Sequence, residues 1–285
     1  MSLGGSFFRA AFFMMLFWRG AFSYFITMIS RQIVIPLFCS LVVLAFTGCS
    51  TTHVHKLHME VSESPEVHGA NTYQKPHSAM LRATGKLNVN PKKKVRFFPE
   101  ESLEEGKDVD WLYKMGGVDF TGSADFLYKA DEDFFGGGVG YKDGVYHYFM
   151  FGENKSIFEY GIFFGLYHQY GRLDYAGEHC DGNILENEEC TPFAERKNDF
   201  YSGVLAGLFA GVYYNNIFFN YTWSLTGPCP DVDGSSECIS TIQSHYVTLG
   251  YRFDKIEFSA GAILTFVDSG FANVGFTTGL SFYLL

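Results

Sequence analysis

The chain has 285 residues, a formal net charge of −10 and an aromatic content of 18%, with 31 phenylalanines. That length allows a sizeable core, and an acidic chain without a basic face excludes nucleic-acid binding. Six cysteines make the redox compartment part of the argument.

Residues 1–27 carry Arg9 and Arg19 inside apolar runs, and a charge at the centre of a membrane helix costs about 2.5–3.5 kcal/mol. Translation is therefore expected to start at Met28. Residues 28–50 hold one charge, Arg31, then an apolar stretch from Ile33 to Phe46, then Thr47 and Gly48 before Cys49. This is the anatomy of a cleaved export signal, and the stretch is shorter than the roughly 20 residues a spanning helix needs. Its end, AFTGC, resembles the lipobox of bacterial lipoproteins, with Gly48 and Cys49 in place and Phe46 where leucine is usual. The resemblance implies lipidation of Cys49, with ordinary signal-peptidase cleavage as the alternative, and Ser50 after it implies delivery to the outer membrane. The signal is thus assigned to residues 1–48.

Residues 49–77 are polar, with His53, His55, His58 and His68 among Ser, Thr and Glu and no apolar periodicity. They read as a periplasmic linker. The spacing H-x-H-x-x-H has no strand or helix to preorganise it, so no metal is assigned there and no cofactor is expected in the chain.

Beyond residue 78 large apolar residues alternate with small or polar ones, a period of two that marks strands between two environments. Strands are expected at 81–89, 116–128, 134–141, 145–151, 157–172, 199–214, 217–226, 242–253, 256–267 and 272–285. In the last, Val274, Phe276, Thr278, Leu280, Phe282 and Leu284 share one face, suited to lipid, and Asn273, Gly275, Thr277, Gly279, Ser281 and Tyr283 share the other, suited to a polar lumen. Two hairpins test the alternation. A two-residue turn at Asp254-Lys255 sets Phe253 against Ile256 and Arg252 against Glu257, and one at Asn215-Asn216 sets Val212 against Phe219 and Gly211 against Asn220.

The fold class is therefore all-β: an antiparallel up-and-down transmembrane barrel of about ten strands, with eight as the alternative, over residues 78–285. A soluble barrel or sandwich would expose the Phe, Tyr, Leu and Val face to water. The architecture resembles small bacterial outer-membrane β-barrel proteins. That resemblance implies both termini in the periplasm, short periplasmic turns, and the tips at 142–144, 173–198, 227–241 and 268–271 outside.

Four cysteines remain after the signal. Cys180 with Cys190 and Cys229 with Cys238 each close a short polar loop and read as disulfides of an oxidising compartment, since zinc sites favour tighter spacing. The acidic stretch 173–198, with Asp174, Glu178, Asp181, Glu186, Glu188, Glu189 and Glu195, lacks calcium-loop spacing and reads as a solvated tip.

Arg82, Lys86, Asp119, Asp125, Glu159, Arg252 and Glu257 fall on the inward face. In a barrel this narrow they are expected to neutralise one another, with a slim solute path as the alternative. His147, His168 and His245 fall on the lipid face, with Ser202 and Ser244 near the outer rim. A base near a hydroxyl is what lipid-modifying catalysis needs, but no G-x-S-x-G elbow accompanies them and belt residues are the plainer reading. The expected role is a non-enzymatic outer-membrane protein, structural or for surface interaction. Membrane lipid is the expected surrounding, and an extracellular ligand or surface partner the expected contact.

Overall fold

The computed structural model describes residues 50–69, 75–96, 110–181, 189–229, 231–232, 235–236, 241–268 and 270–284. Two compact units divide the chain: Met1–Thr51 with Cys180–Cys190, and Thr52–His179 with Thr191–Leu285. The signal segment and Cys49 lie outside the described residues.

The second unit is a closed barrel, and only the outermost residues of β1, β6 and β7, at 50–51, 180–181 and 189–190, belong to the first. Its strands are β1 Ser50–Glu60, β2 Ser78–Arg96, β3 Asp110–Lys129, β4 Asp133–Tyr141, β5 Gly144–Lys155, β6 Phe158–Asp181, β7 Glu189–Tyr214, β8 Ile217–Thr226, β11 Ile242–Phe253, β12 Ile256–Val267 and β13 Gly270–Leu284. A two-residue pair, β9 Asp231–Val232 and β10 Ser235–Ser236, forms a separate ribbon. The ring runs β3-β2-β13-β12-β11-β8-β7-β6-β5-β4 and closes from β4 back to β3. Ten antiparallel strands make the wall, so the eight-stranded alternative falls away.

The registers follow the expected ones. Phe253 pairs with Ile256 and Arg252 with Glu257, while Val212 pairs with Phe219 and Gly211 with Asn220. Asn215 and Asp254, at φ 53° and 51°, open the two tight turns in the left-handed region that Asn and Asp tolerate best after glycine. Outward positions such as Val118, Phe120, Ile162, Phe164, Val204, Leu249 and Phe276 form an exposed apolar band, while Asn220, Thr248, Thr277 and Ser281 are buried. A polar interior behind an apolar exterior is the inside-out arrangement of a barrel in hydrocarbon.

Five strands run further than the alternation indicated: β2 to Arg96, β3 back to Asp110, β5 to Lys155, β6 to Asp181 and β7 back to Glu189. Much of the expected solvated tip is therefore wall, with Leu173 and Tyr175 fully buried. The inward face also differs from expectation on one side. Phe134, Tyr148, Met150, Phe163 and Phe209 of β4 to β7 point inward and pack on one another.

The largest difference is at 49–77. In place of a linker, β1 pairs in parallel with β3, Lys56 beside Asp110 through Glu60 beside Lys114, and also contacts β6. It completes the wall above the short β4–β5 hairpin. β1 begins at the barrel end opposite Leu284, which lies beside Leu81 near the start of β2.

Candidate functional site

After Glu60 the chain leaves the wall, its last strand-like bond running from the Val61 amide to the Lys114 carbonyl at 2.9 Å. Residues 61–69 then descend through the lumen, eight of the nine buried and Glu66 half-buried. A bare segment inside a barrel must satisfy its backbone, and wall side chains do this in order from one end to the other. Tyr246 donates to the Ser64 carbonyl at 2.6 Å, Ser224 to Pro65 at 2.7 Å and Thr222 to Val67 at 3.1 Å. Near the far end Arg82 donates to the carbonyls of His68 and Gly69, both at 2.8 Å. A side chain at Gly69 would strike Phe134, Phe209 and Glu159, so only glycine passes that point.

The same segment brings charge. Glu66 meets Lys86 at 2.7 Å, and Glu63 meets Lys142 at 3.4 Å, all four almost fully buried at the side chain. Of the inward charges read from the alternation, Arg82 and Asp125 form a buried pair at 2.9 Å across β2 and β3, and Tyr148 also donates to Asp125. Asp119 accepts from Asn88, Glu159 from Asn154 at 3.1 Å, and Glu257 from Tyr283 at 2.7 Å. Arg252 stacks on Tyr283 at 4.3 Å and donates to the Asp254 carbonyl. The wall thus supplies the counter-charge for Arg82 and the plug that for Lys86, while Asp119, Glu159 and Glu257 accept from the neutral side chains of Asn88, Asn154 and Tyr283. Glu63, Glu66 and Lys142 were not anticipated. One signal was available: Lys86 has Thr121 and Gly279 as its cross-strand neighbours, so no acid from the wall stands opposite it.

The space left beside the plug near Glu66 and Lys86 measures about 10 Å³, room for about one water. A larger cavity, about 700 Å³, opens where β1 ends. The turn at 141–143 bounds it below, Glu60 and Val61 above, residues 116–119 of β3 on one flank and Gln169 and Tyr170 of β6 on the other. Lys92, Lys93, Lys94 and Lys114 also line it. β2 bulges between Asn90 and Lys93, and Gly116, at φ 87°, lies so close to the Pro91 carbonyl that a Cβ there would collide with it.

On the outer face His168 Nδ1 and Ser202 Oγ are 2.7 Å apart, and the His147 ring stacks on His168 at 5.9 Å. His245 instead bonds the Tyr221 hydroxyl at 2.8 Å. Ser244 points inward, fully buried, and accepts from the Ser64 amide at 2.9 Å. It belongs to the plug contacts and not to the rim. Beyond the apolar band Asp174 accepts from Arg196 at 2.9 Å and Lys56 at 3.1 Å, which holds its carboxyl down at about 2. In the other unit Cys180 and Cys190 are joined as a disulfide. Cys238 lies outside the described residues.

These features define an internally plugged barrel of the outer-membrane type. No family model matches the sequence, and no curated protein matches it. Among solved structures, the outer membrane protease OmpT from Escherichia coli is similar at 10% identity and a TM-score of 0.36, over 75% of this chain and 100% of that chain. A likeness of that size bears on neither activity nor substrate.

Proposed function

We propose that this chain is an outer-membrane protein with a closed barrel that supports a surface-interaction role, the disulfide-braced β6–β7 hairpin being the presented element. One observation carries the reading: residues 61–69 fill the lumen and are bonded to wall strands along their length. A filled lumen argues against the solute-path alternative. In this reading the C-terminal strand ends at the periplasmic rim and β1 starts on the outer side. An epitope placed before Thr52 should then be labelled on intact cells. For the closed lumen, the test is conductance in planar bilayers. The intact protein should pass no resolvable steps, and a variant with 62–69 replaced by a Gly/Ser tether should pass them. Steady current through the intact protein overturns the reading.

The contact between His168 and Ser202 favours a second reading, a lipid-modifying enzyme. An outward histidine in reach of a hydroxyl can take its proton as the oxygen attacks an ester carbonyl, and return it to the alcohol that departs as the acyl C–O bond breaks and the acyl group passes to Ser202, and Tyr170 and Phe200, 5.0 Å apart, stand at the same level in a position suited to the headgroups. The test is the mass of outer-membrane lipids after exposure to the intact protein and to Ser202→Ala. Unchanged lipids with the intact protein remove this reading.

A further inference from the structure

We infer that the side cavity at the end of β1 is a binding site for a phosphate-bearing lipid headgroup. The wall there has an open edge. β3 pairs with β1 only as far as Lys114 and with β4 only from Gly122, so among the described strands residues 115–121 of β3 have a neighbour on the β2 side alone. An unpaired strand edge beside hydrocarbon is costly unless water or a polar ligand meets it. The cavity of about 700 Å³ has the volume of a small-molecule site. Val118, Tyr141 and Tyr170, all exposed on the outward face, form its rim toward the bilayer.

Charge picks the ligand. Lys94 and Lys114 are direct cross-strand partners, and like charges so placed repel. Lys92 stands beside them on the bulge. None of these three lysines has an ion-pair partner among the described residues, whereas Lys93 is held by the Ala272 carbonyl at 2.9 Å. The carboxylates in the cavity are otherwise engaged or set apart. Glu63 is paired with Lys142, Asp119 accepts from Asn88, and Asp143 accepts from Ser62 at 2.9 Å. Glu60 lies beside Lys114 in register but forms no ion pair with it among the described residues. An anion between Lys94 and Lys114 would relieve their repulsion, and acyl chains attached to it could follow Val118 and Phe120 down the outer wall. The plug closes the lumen side, so the cavity is a place of binding and not of passage. This inference is independent of the role proposed above.

The probes are short-chain phosphatidic acid, phosphatidylcholine of the same chain length, and inorganic phosphate, titrated onto the refolded full chain in neutral micelles and read by native mass spectrometry. Phosphatidic acid should bind at least about tenfold more tightly than phosphatidylcholine, the effect of one charge-assisted hydrogen bond. Lys94→Gln with Lys114→Gln should cut that preference to less than about threefold. Lys155→Gln with Lys255→Gln, at the other rim, should leave it unchanged. Both double variants should keep the heat-modifiable gel mobility of a folded barrel. Equal binding of the two lipids, equal loss in both double variants, or a retained preference in the first overturns the inference. Inorganic phosphate binding as tightly as phosphatidic acid would make this a free-anion site and overturn the lipid assignment.

Discussion

The lower and upper halves of the barrel obey opposite rules along the same strands. On β6, outward Ile162, Phe164 and Leu166 are exposed below Tyr170, while inward Glu159 and Gln169 are buried. Above Tyr170 the parity continues but the chemistry reverses: Leu173 and Tyr175 are buried inward, and Asp174 faces out to Lys56 and Arg196. The upper interior is an ordinary apolar core, joining Leu57, Met59 and Val61 of the β1 region to Tyr113, Met115, Leu173, Tyr201 and Ile242. The lower interior holds ion pairs and a hydrogen-bonded plug, packed on one side against the inward Phe134, Tyr148, Met150, Phe163 and Phe209. The solvent outside the wall decides which face carries apolar side chains. Hydrocarbon stabilises apolar residues outside, and water drives them in.

Five substitutions would break or sharpen that contrast. The largest effect is expected for Arg82→Ala in the lower half. It strands Asp125 and releases the His68 and Gly69 carbonyls, and breaking a buried pair costs about 3–5 kcal/mol. Denaturant unfolding from micelles should report the loss, and planar bilayers should record new conductance. In the upper half Met59→Ala leaves a cavity in an apolar core, for which about 2–4 kcal/mol is expected, with no conductance. Unchanged stability would show that β1 is not part of the cooperative unit.

Phe164→Arg places a charge on the outward face of the band, where about 2–4 kcal/mol is expected in a bilayer. Asn198→Arg, outward but above the band, should change stability by less than about 0.5 kcal/mol. Equal costs at the two positions would remove the boundary drawn at Tyr170. The smallest effect concerns pH. Asp174 is held at about 2 by Arg196 and Lys56, below the ordinary value of 3.8. Its folded state binds the proton less readily than the unfolded one, so this stabilisation is complete above about pH 4 and is lost as pH falls through about 2. Because Arg196 is largely exposed, under about 1 kcal/mol is expected from Asp174→Asn at neutral pH. The difference between the two proteins should vanish in acid titration of stability.

Much of the lower wall was legible in the amino-acid sequence. Ile256–Val267, Ile242–Phe253 and Ile217–Thr226 have the bounds that alternation and turn residues predict, and the inward placement of Arg82, Asp125 and Glu257 follows from parity. The upper extensions were less legible because their outward residues are polar, as on any soluble sheet. The contact of His168 with Ser202 was half legible: parity sets both outward, but their proximity depends on how β6 lies against β7.

What the sequence by itself determined is the barrel: an antiparallel wall of about ten strands, its hairpin registers, and which face is apolar. These depend on neighbours a few residues apart across a turn, and period-two alternation encodes them locally. The tertiary structure alone decided that a histidine-rich polar stretch is β1 and a plug. Its partners, such as Ser224 and Ser244 for Ser64, lie 160 and 180 residues away. A polar segment without periodicity has no local signature of burial, because only the wall that surrounds it supplies its hydrogen bonds.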